Sequence, residues 1–572
     1  MKNVRLFKTS IALLFSFAVS NLSVSTQTTI PDYTSKVPKF IFSDLLEEQE
    51  KQLEENPLII RMIESRKKLS TDKYRPLYHY VNPEGNLNDP NGLCYWNGYW
   101  HLFYQAYPPE DTRQHWGHAI SKDLVHWRDL PYAIYPNPER AVYSGSTLVE
   151  KDRVIAMYHG TLAGNMVAVS DDPLLLNWEK VSGKAVIPLV SNSGFSQPYS
   201  VFDPCIWKKD GIYYSLSGGR AYNGPGGSPV RANYLFRSKD LIKWEYLHEF
   251  VEDDRFTLVG DDGACPYFWP IGDRYILNFF SHMSGGQYLL GDYDKENDKF
   301  VVSSAGKYNH GAVSPGGVHA PSATPDGKGN IIIMFNMNPA KQTEGWNQIM
   351  SLPRRLTLIS KDVIGQEPAA DLSPLHFGGK KMEGVKLPAN KEIVLKGIKG
   401  NAMEIHAEID MLNAQIVELN VLRSPDKEEY TRIVIYKDKG FSRGLDYQST
   451  DGTVMMPTDL LVALTNQKSY AKSTRLQQSY VSIESDHSSI LPDVRLRPPE
   501  TGSFVLDPEE NINLRVFIDK SIVEVFVNGK QCVAVRVYPG RDDSVGVSLK
   551  ALGREALLKS LDAWQMKSIY ID

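Results

Sequence analysis

Two Asp-Pro pairs are the first residues in this chain that suggest a reaction centre. Asp89-Pro90 lies inside Asn86-Leu-Asn-Asp-Pro-Asn-Gly92, and Asp203-Pro204 lies more than a hundred residues later. Taken singly, an Asn-Asp-Pro-Asn-Gly run reads equally well as a turn. Repetition gives the pairs a second meaning. Cys265-Pro266 and Ala320-Pro321 have the same form, and Ser144-Gly145-Ser146 stands in the one remaining place. The chain also carries 30 Tyr, 21 Phe and 10 Trp, 11% of its residues. That surplus favours β structure and sites that stack flat apolar faces, such as the faces of sugars.

The elements that must position these residues recur. Asn97-Gly-Tyr-Trp-His-Leu-Phe-Tyr104 is a turn followed by an aromatic strand. Asp152 to Tyr158, Asp210 to Leu216, Gly272 to Phe279 and Gly329 to Phe335 repeat it, with starts 55–62 residues apart. Five sheet-sized units at near-constant spacing predict a five-bladed β-propeller over residues 74–375. The first strand of each blade lines the central channel, so Asp89 and Asp203 are expected to face one another in one funnel. From residue 376 to 572 the pattern becomes regular alternating strands, including Leu514 to Val527, with a hairpin signal at Asn528-Gly529. This predicts a β-sandwich, so the whole is an all-β chain.

Ahead of the propeller, residues 27–73 read as a linker and a short helical appendage. Ser43 is a candidate cap for a helix to about Glu55, and Asn56-Pro57 starts a second with Leu58, Ile59, Met62 and Ile63 on its apolar face. Residues 1–26 combine Lys2, Arg5 and Lys8 with an apolar run from Ile11 to Ser20. They read as a secretory signal peptide, too short for a membrane span, and imply a secreted or periplasmic protein. No later stretch is apolar enough to cross a bilayer.

The 572 residues hold 63 Lys plus Arg against 68 Asp plus Glu, a net charge of −5. With 42% hydrophobic and 23% charged residues, wholesale disorder is excluded. The acidic balance argues against nucleic acid as a partner. Cys94, Cys205, Cys265 and Cys532 have no metal-binding spacing and sit in or beside apolar runs, so they are expected as buried thiols.

Asn86-Leu-Asn-Asp-Pro-Asn-Gly92 resembles the signature of glycoside hydrolase family 32, the β-fructosidases. Phe103-Tyr-Gln105, Trp116-Gly-His-Ala119, Tyr143-Ser-Gly-Ser146, Ser281 to Asp294, Ser351 to Leu356 and Leu514 to Asn528 resemble further family segments in family order. The resemblance implies a propeller followed by a sandwich, no metal and no cofactor, and an oligo- or polysaccharide substrate of the fructan or sucrose type. It implies retaining hydrolysis of β-fructofuranosides, which needs a carboxylate nucleophile and an acid/base carboxyl. By matching motif, Asp89 is the nucleophile, Asp203 the transition-state stabiliser, and Asn88, Gln105, Trp116, Tyr143 and Ser144 line the sugar pocket.

Two departures from that pattern concern the acid step. The family's Arg-Asp-Pro is Phe202-Asp203-Pro204 here, and its Glu-Cys-Pro, which carries the acid/base, is Ala264-Cys265-Pro266. Three readings follow. Asp262, two residues earlier and about 6.5 Å along the same strand face, supplies the acid, with Asp261 aimed to the other face. Alternatively His319, standing where the family has a tyrosine, lines the pocket and shuttles the proton. Or the chain binds fructan without cleaving it, or cleaves a changed glycosidic substrate.

Overall fold

The structure is a computed structural model that describes residues 32–189, 197–252, 254–310, 317–440, 478–507 and 509–570. The expected signal peptide lies outside the described residues.

Each turn-and-strand repeat becomes the second strand of one sheet. The first blade is Asn86–Trp96, Tyr99–Tyr107, His115–Ser121 and Trp127–Ile134, joined in sequence order. The innermost strands of the next four sheets are Val142–Val149, Pro204–Lys209, Ala264–Ile271 and Val318–Pro325. Each inner strand packs on the next, and the fifth packs back on the first, so the five sheets close into a ring. The turns follow from backbone chirality. Asn97 and Asp210 take φ of 46° and 50°, each followed by a left-handed glycine. That pairing favours tight primed hairpins between right-twisted strands.

The Pro-containing dipeptides have a structural cause. In the first, second, fourth and fifth blades the inner strand slips register at Leu87/Pro90, Val142/Gly145, Ala264/Tyr267 and Val318/Pro321. Proline cannot donate to the ladder, and a bulge re-aims the side chain beside it. Four bulges at the same end of four inner strands point their residues at the channel mouth. In the third blade the strand begins at Pro204, leaving Asp203 just outside it.

Two six-stranded antiparallel sheets follow, from His376–Leu387 to Ala556–Met566, with a shared core that includes Ile405, Leu419, Val516, Val525 and Leu549. The expected run from Leu514 to Val527 is two strands, Ile512–Asp519 and Ile522–Val527. Lys520 at φ 59° turns the chain back before Asn528-Gly529 turns it again. Sandwich and propeller meet over a buried ion network. Glu524 accepts from Arg354 Nη2 at 2.8 Å, the Leu352 amide at 2.8 Å and lies 3.1 Å from His79 Nε2. His79 Nδ1 lies 2.9 Å from Asp519. Glu524 joins the two domains.

The appendage is two helices, Leu46–Glu54 and Pro57–Leu69. Asn56 caps the second by accepting from the Leu58 and Ile59 amides. Ser43 is not the cap of the first: Leu45 holds that position, and Ser43 instead bonds Glu48 and the Leu45 amide. Leu58 and Met62 are buried as expected, but Ile63 faces solvent. Arg66 anchors the helix to the first blade through Asp129, 2.6 Å away.

Candidate active site

The N-terminal ends of the five inner strands converge with the C-terminal ends of the second strands, and the carboxylates of Asp89 and Asp203 meet there. Both are buried. Asp89 Oδ2 accepts from Ser144 Oγ at 2.7 Å and Gln105 Nε2 at 3.1 Å. Gln105 also donates to Ser144 Oγ at 2.8 Å, so the three side chains form a closed triangle. Asn88 donates to Gln105 Oε1 at 3.2 Å, and its own carbonyl accepts from Asn336 and Gln348 of the fifth blade. Asp89 Oδ1, in contrast, is buried with no hydrogen bond among the described residues. His319 Nδ1 stands 3.4 Å from it.

Cys265 joins the two carboxylates. It sits at the bulge with φ 50°, a left-handed conformation that costs a non-glycine residue of order 1 kcal/mol or more. That bend aims its amide at Asp203 Oδ2, at 3.0 Å, and sets its thiol 3.5 Å from Asp203 and 3.6 Å from Asp89. All four cysteines are buried and unpaired, as expected.

The two acids are driven apart in protonation. Burial raises the Asp203 carboxyl, and the Asp89 charge raises it further, to about 7 despite the Cys265 bonds. Burial also disfavours the Asp89 carboxylate, but His319, Ser144 and Cys265 outweigh it and hold Asp89 below its ordinary range. One ionised and one readily protonated carboxyl in a shared buried site is the division of labour that acid/base and nucleophilic chemistry uses.

Asp262 is not placed to give up a proton. Its Oδ2 lies 3.0 Å from Arg220 Nη2 and 2.9 Å from His282 Nδ1, and its Oδ1 accepts from the His282 amide. Burial would raise its pKa, but His282 and then Arg220 bring it below the usual carboxylate range. Asp261 is an anchor on the other face, accepting from Ser281, Ser284 and the Leu258 amide. Trp116 is a second correction: it is fully buried, stacked on Phe103, with its indole N–H on the Tyr143 carbonyl. It shapes the pocket wall from behind and offers no face to a ligand. Tyr143 is half-buried at the mouth, 6.2 Å from the His159 ring.

An aromatic arc continues from there. His159 packs on Phe202 at 5.5 Å, and Phe280 packs on His319 at 4.1 Å and on His282 at 5.4 Å. Phe202 borders a small apolar cluster of Ala264, Cys265, Phe280 and Ala320. His159, Arg220, His282 and Asn336 were not singled out from sequence. Each lies at or just after the end of a second strand, the position that holds Gln105 in the first blade, and that register was the available signal.

Comparison with known proteins settles the family. The pattern for the glycosyl hydrolases family 32 N-terminal domain matches residues 79–368, and that for the family 32 C-terminal domain matches residues 378–565. The chain belongs to glycosyl hydrolase family 32. It is 28% identical over 543 residues to a levanase of Bacillus subtilis, covering 87% of this chain and 71% of that protein. It is 26% identical to an insoluble-isoenzyme β-fructofuranosidase of Arabidopsis thaliana, covering 87% and 96% of the two chains. Fructan 1-exohydrolase IIa of Cichorium intybus shares the fold at a TM-score of 0.70 and 19% identity, over 87% of this chain and 98% of that one. The five-bladed propeller and sandwich are thus the architecture of this family.

Proposed function

We propose that this chain is a retaining β-fructofuranosidase of fructans or sucrose-type sugars, with Asp89 as nucleophile and Asp203 as the group that holds the fructose hydroxyls. The observation that carries the proposal is the asymmetry of Asp89. Its Oδ2 is fixed by Ser144 and Gln105, while Oδ1 stays ionised, buried and unbonded. A carboxylate hydrogen-bonded at one oxygen, with the other facing only the His319 imidazole at 3.4 Å, is arranged for attack. Oδ1 bonds to the anomeric carbon as the glycosidic bond breaks, giving a fructosyl-enzyme that water then hydrolyses. Asp203, readily protonated beside it, can both donate to and accept from sugar hydroxyls. The levanase, β-fructofuranosidase and fructan exohydrolase names of its relatives support the substrate class. Export, directed by residues 1–26, belongs to the same proposal, since a polymeric fructan is met outside the cell.

The test is fructose release by the purified protein from levan, inulin and sucrose, with Asp89→Asn expected to abolish it. No release from any of these refutes the proposal. Ala264 in the acid's usual place favours a second reading, fructan binding without cleavage. Saturable binding with no turnover would establish that reading instead.

A further inference from the structure

Where the family pattern carries its acid/base, this chain has Ala264, 2% exposed and packed among Cys265, Phe280, Ala320 and Phe202. A proton donor must therefore come from elsewhere on the same face. Ala264 pairs with Phe280 across the fourth blade's first two strands. Cross-strand partners, and residues two along from each, share one face of a sheet. Asp262 and His282 lie two residues from that pair, just beyond the strand ends at Ala264 and Ser281, and what holds them together there is a direct bond. His282 Nδ1 lies 2.9 Å from Asp262 Oδ2, and the His282 amide donates to Oδ1 at 3.0 Å. That pairing fixes the ring and leaves Nε2, which makes no hydrogen bond among the described residues, as the free proton-bearing nitrogen. The His282 side chain is 56% exposed, at the mouth where a leaving group departs.

We propose that His282 is the general acid and base of this site, with Asp262 as its positioning residue; the proposal rests on the β-fructofuranosidase reading above. In the first step Nε2–H gives its proton to the glycosidic oxygen as that oxygen leaves the anomeric carbon and Asp89 Oδ1 bonds to it. In the second, neutral Nε2 takes a proton from water, whose oxygen bonds to the anomeric carbon and displaces Asp89. The charges facing the ring favour its protonated form. Asp262 lies beside it on its own sheet, and Asp203 and Asp89 lie across the funnel. Arg220, from the third blade, is neutralised on Asp262, and His319 stands beyond the Phe280 ring. The hydrogen bond that His282 donates to Asp262 raises the His282 pKa, burial opposes it, and the charges of Asp262, Asp203 and Asp89 add to the rise. A carboxylate–imidazole pair of this kind keeps its proton near neutral pH and can still release it.

The experiment compares kcat/KM against pH for the native chain, His282→Gln and Asp262→Asn. One substrate is a natural fructan, and the other is an aryl β-fructofuranoside whose phenolate leaves without protonation. His282→Gln is expected to lose about 10²- to 10⁴-fold on fructan and far less on the aryl substrate, together with the alkaline limb of the fructan profile. Asp262→Asn should retain that limb but move it to lower pH, a shift that a merely structural role does not produce. An unchanged fructan rate and limb in His282→Gln overturns the assignment. So does loss of the limb in Asp203→Asn with its retention in His282→Gln, which gives the acid role to Asp203. No turnover of either substrate by the native chain overturns the β-fructofuranosidase reading itself, and the acid with it.

Discussion

Replacing Asp203 by asparagine should make this protein more stable while lowering its activity, and the gain should depend on pH. The carboxyl of Asp203 titrates near 7 in the folded chain against 3.8 when unperturbed, because it is buried and lies beside Asp89. A raised acid pKa means that the folded state binds the proton more tightly than the unfolded state. Stability from this group therefore falls as pH rises from 3.8 to 7 and is lowest above 7. Each pKa unit corresponds to about 1.4 kcal/mol, so the ionised carboxylate costs the fold about 4 kcal/mol at pH 8 and less than about 1 kcal/mol at pH 4. Asparagine keeps an oxygen for the Cys265 amide and carries no charge, so the variant escapes that cost. Denaturant unfolding of native and Asp203→Asn protein at pH 4 and pH 8 reads the difference directly. A gain of several kcal/mol at pH 8 that shrinks toward zero at pH 4 is expected. A gain equal at both pH values, or a loss at pH 8, refutes the argument that burial and Asp89 hold this acid near neutrality.

Ser144→Ala removes one hydrogen bond to the ionised Asp89, worth about 1.5–3 kcal/mol to a buried charge, so the acid limb of kcat/KM should rise by about 1–2 pH units. An unmoved limb would show that His319, Cys265 and Gln105 hold Asp89 ionised without Ser144. At the domain interface, Glu524→Ala leaves Arg354 without its buried carboxylate and His79 with Asp519 alone, and should cost about 3–5 kcal/mol in denaturant unfolding. Burial lowers the His79 pKa, but its bonds to Asp519 and Glu524 win and carry it from 6.5 to about 9. Its contribution, of order 3 kcal/mol, is therefore fully present below pH 6.5 and lost as pH rises through about 9. In Glu524→Ala the part of that alkaline loss that Glu524 supplies should disappear, and the part that rests on Asp519 should remain.

What the sequence made legible was everything with a period. Turn-plus-aromatic-strand repeats foretold the blades, and the dipeptides before them foretold which strand ends meet. The reason for the prolines was not legible, because a bulge is a relation between two strands and the repeat shows only one of them. The same limit hid His282 and Arg220. His282 lies inside the Ser281 to Asp294 segment without being marked by it, and only the register Ala264 to Phe280 brings it alongside Ala264. Trp116 misled for the opposite reason. Its motif placed it beside the pocket, but alternation along His115–Ser121 does not show which side of a strand buried on both faces meets the sugar. Lys520 broke a run whose hydrophobic alternation continues on either side, and a single left-handed residue leaves no trace in that pattern.

Phe202 and Ala264 are best understood as one change. They border the same apolar cluster, with Phe280 and Ala320 completing it. A glutamate at position 264 would bury a carboxylate there, and an arginine at position 202 would border the same apolar wall. An unpaired buried charge costs several kcal/mol, and the apolar residues present avoid that cost. The charge pair that this site does contain, Arg220 with Asp262, lies further out, where Arg220 is 41% exposed rather than sealed in the wall. At that depth the arginine is hydrated and the pair avoids most of the desolvation cost. His282 can then share the same carboxylate while its outer nitrogen meets solvent and substrate. A proton donor moved from the sealed floor to the wet rim suits a leaving group that remains solvated as it departs. It leaves the floor, with Asp89, Asp203 and Cys265, to hold the sugar that stays.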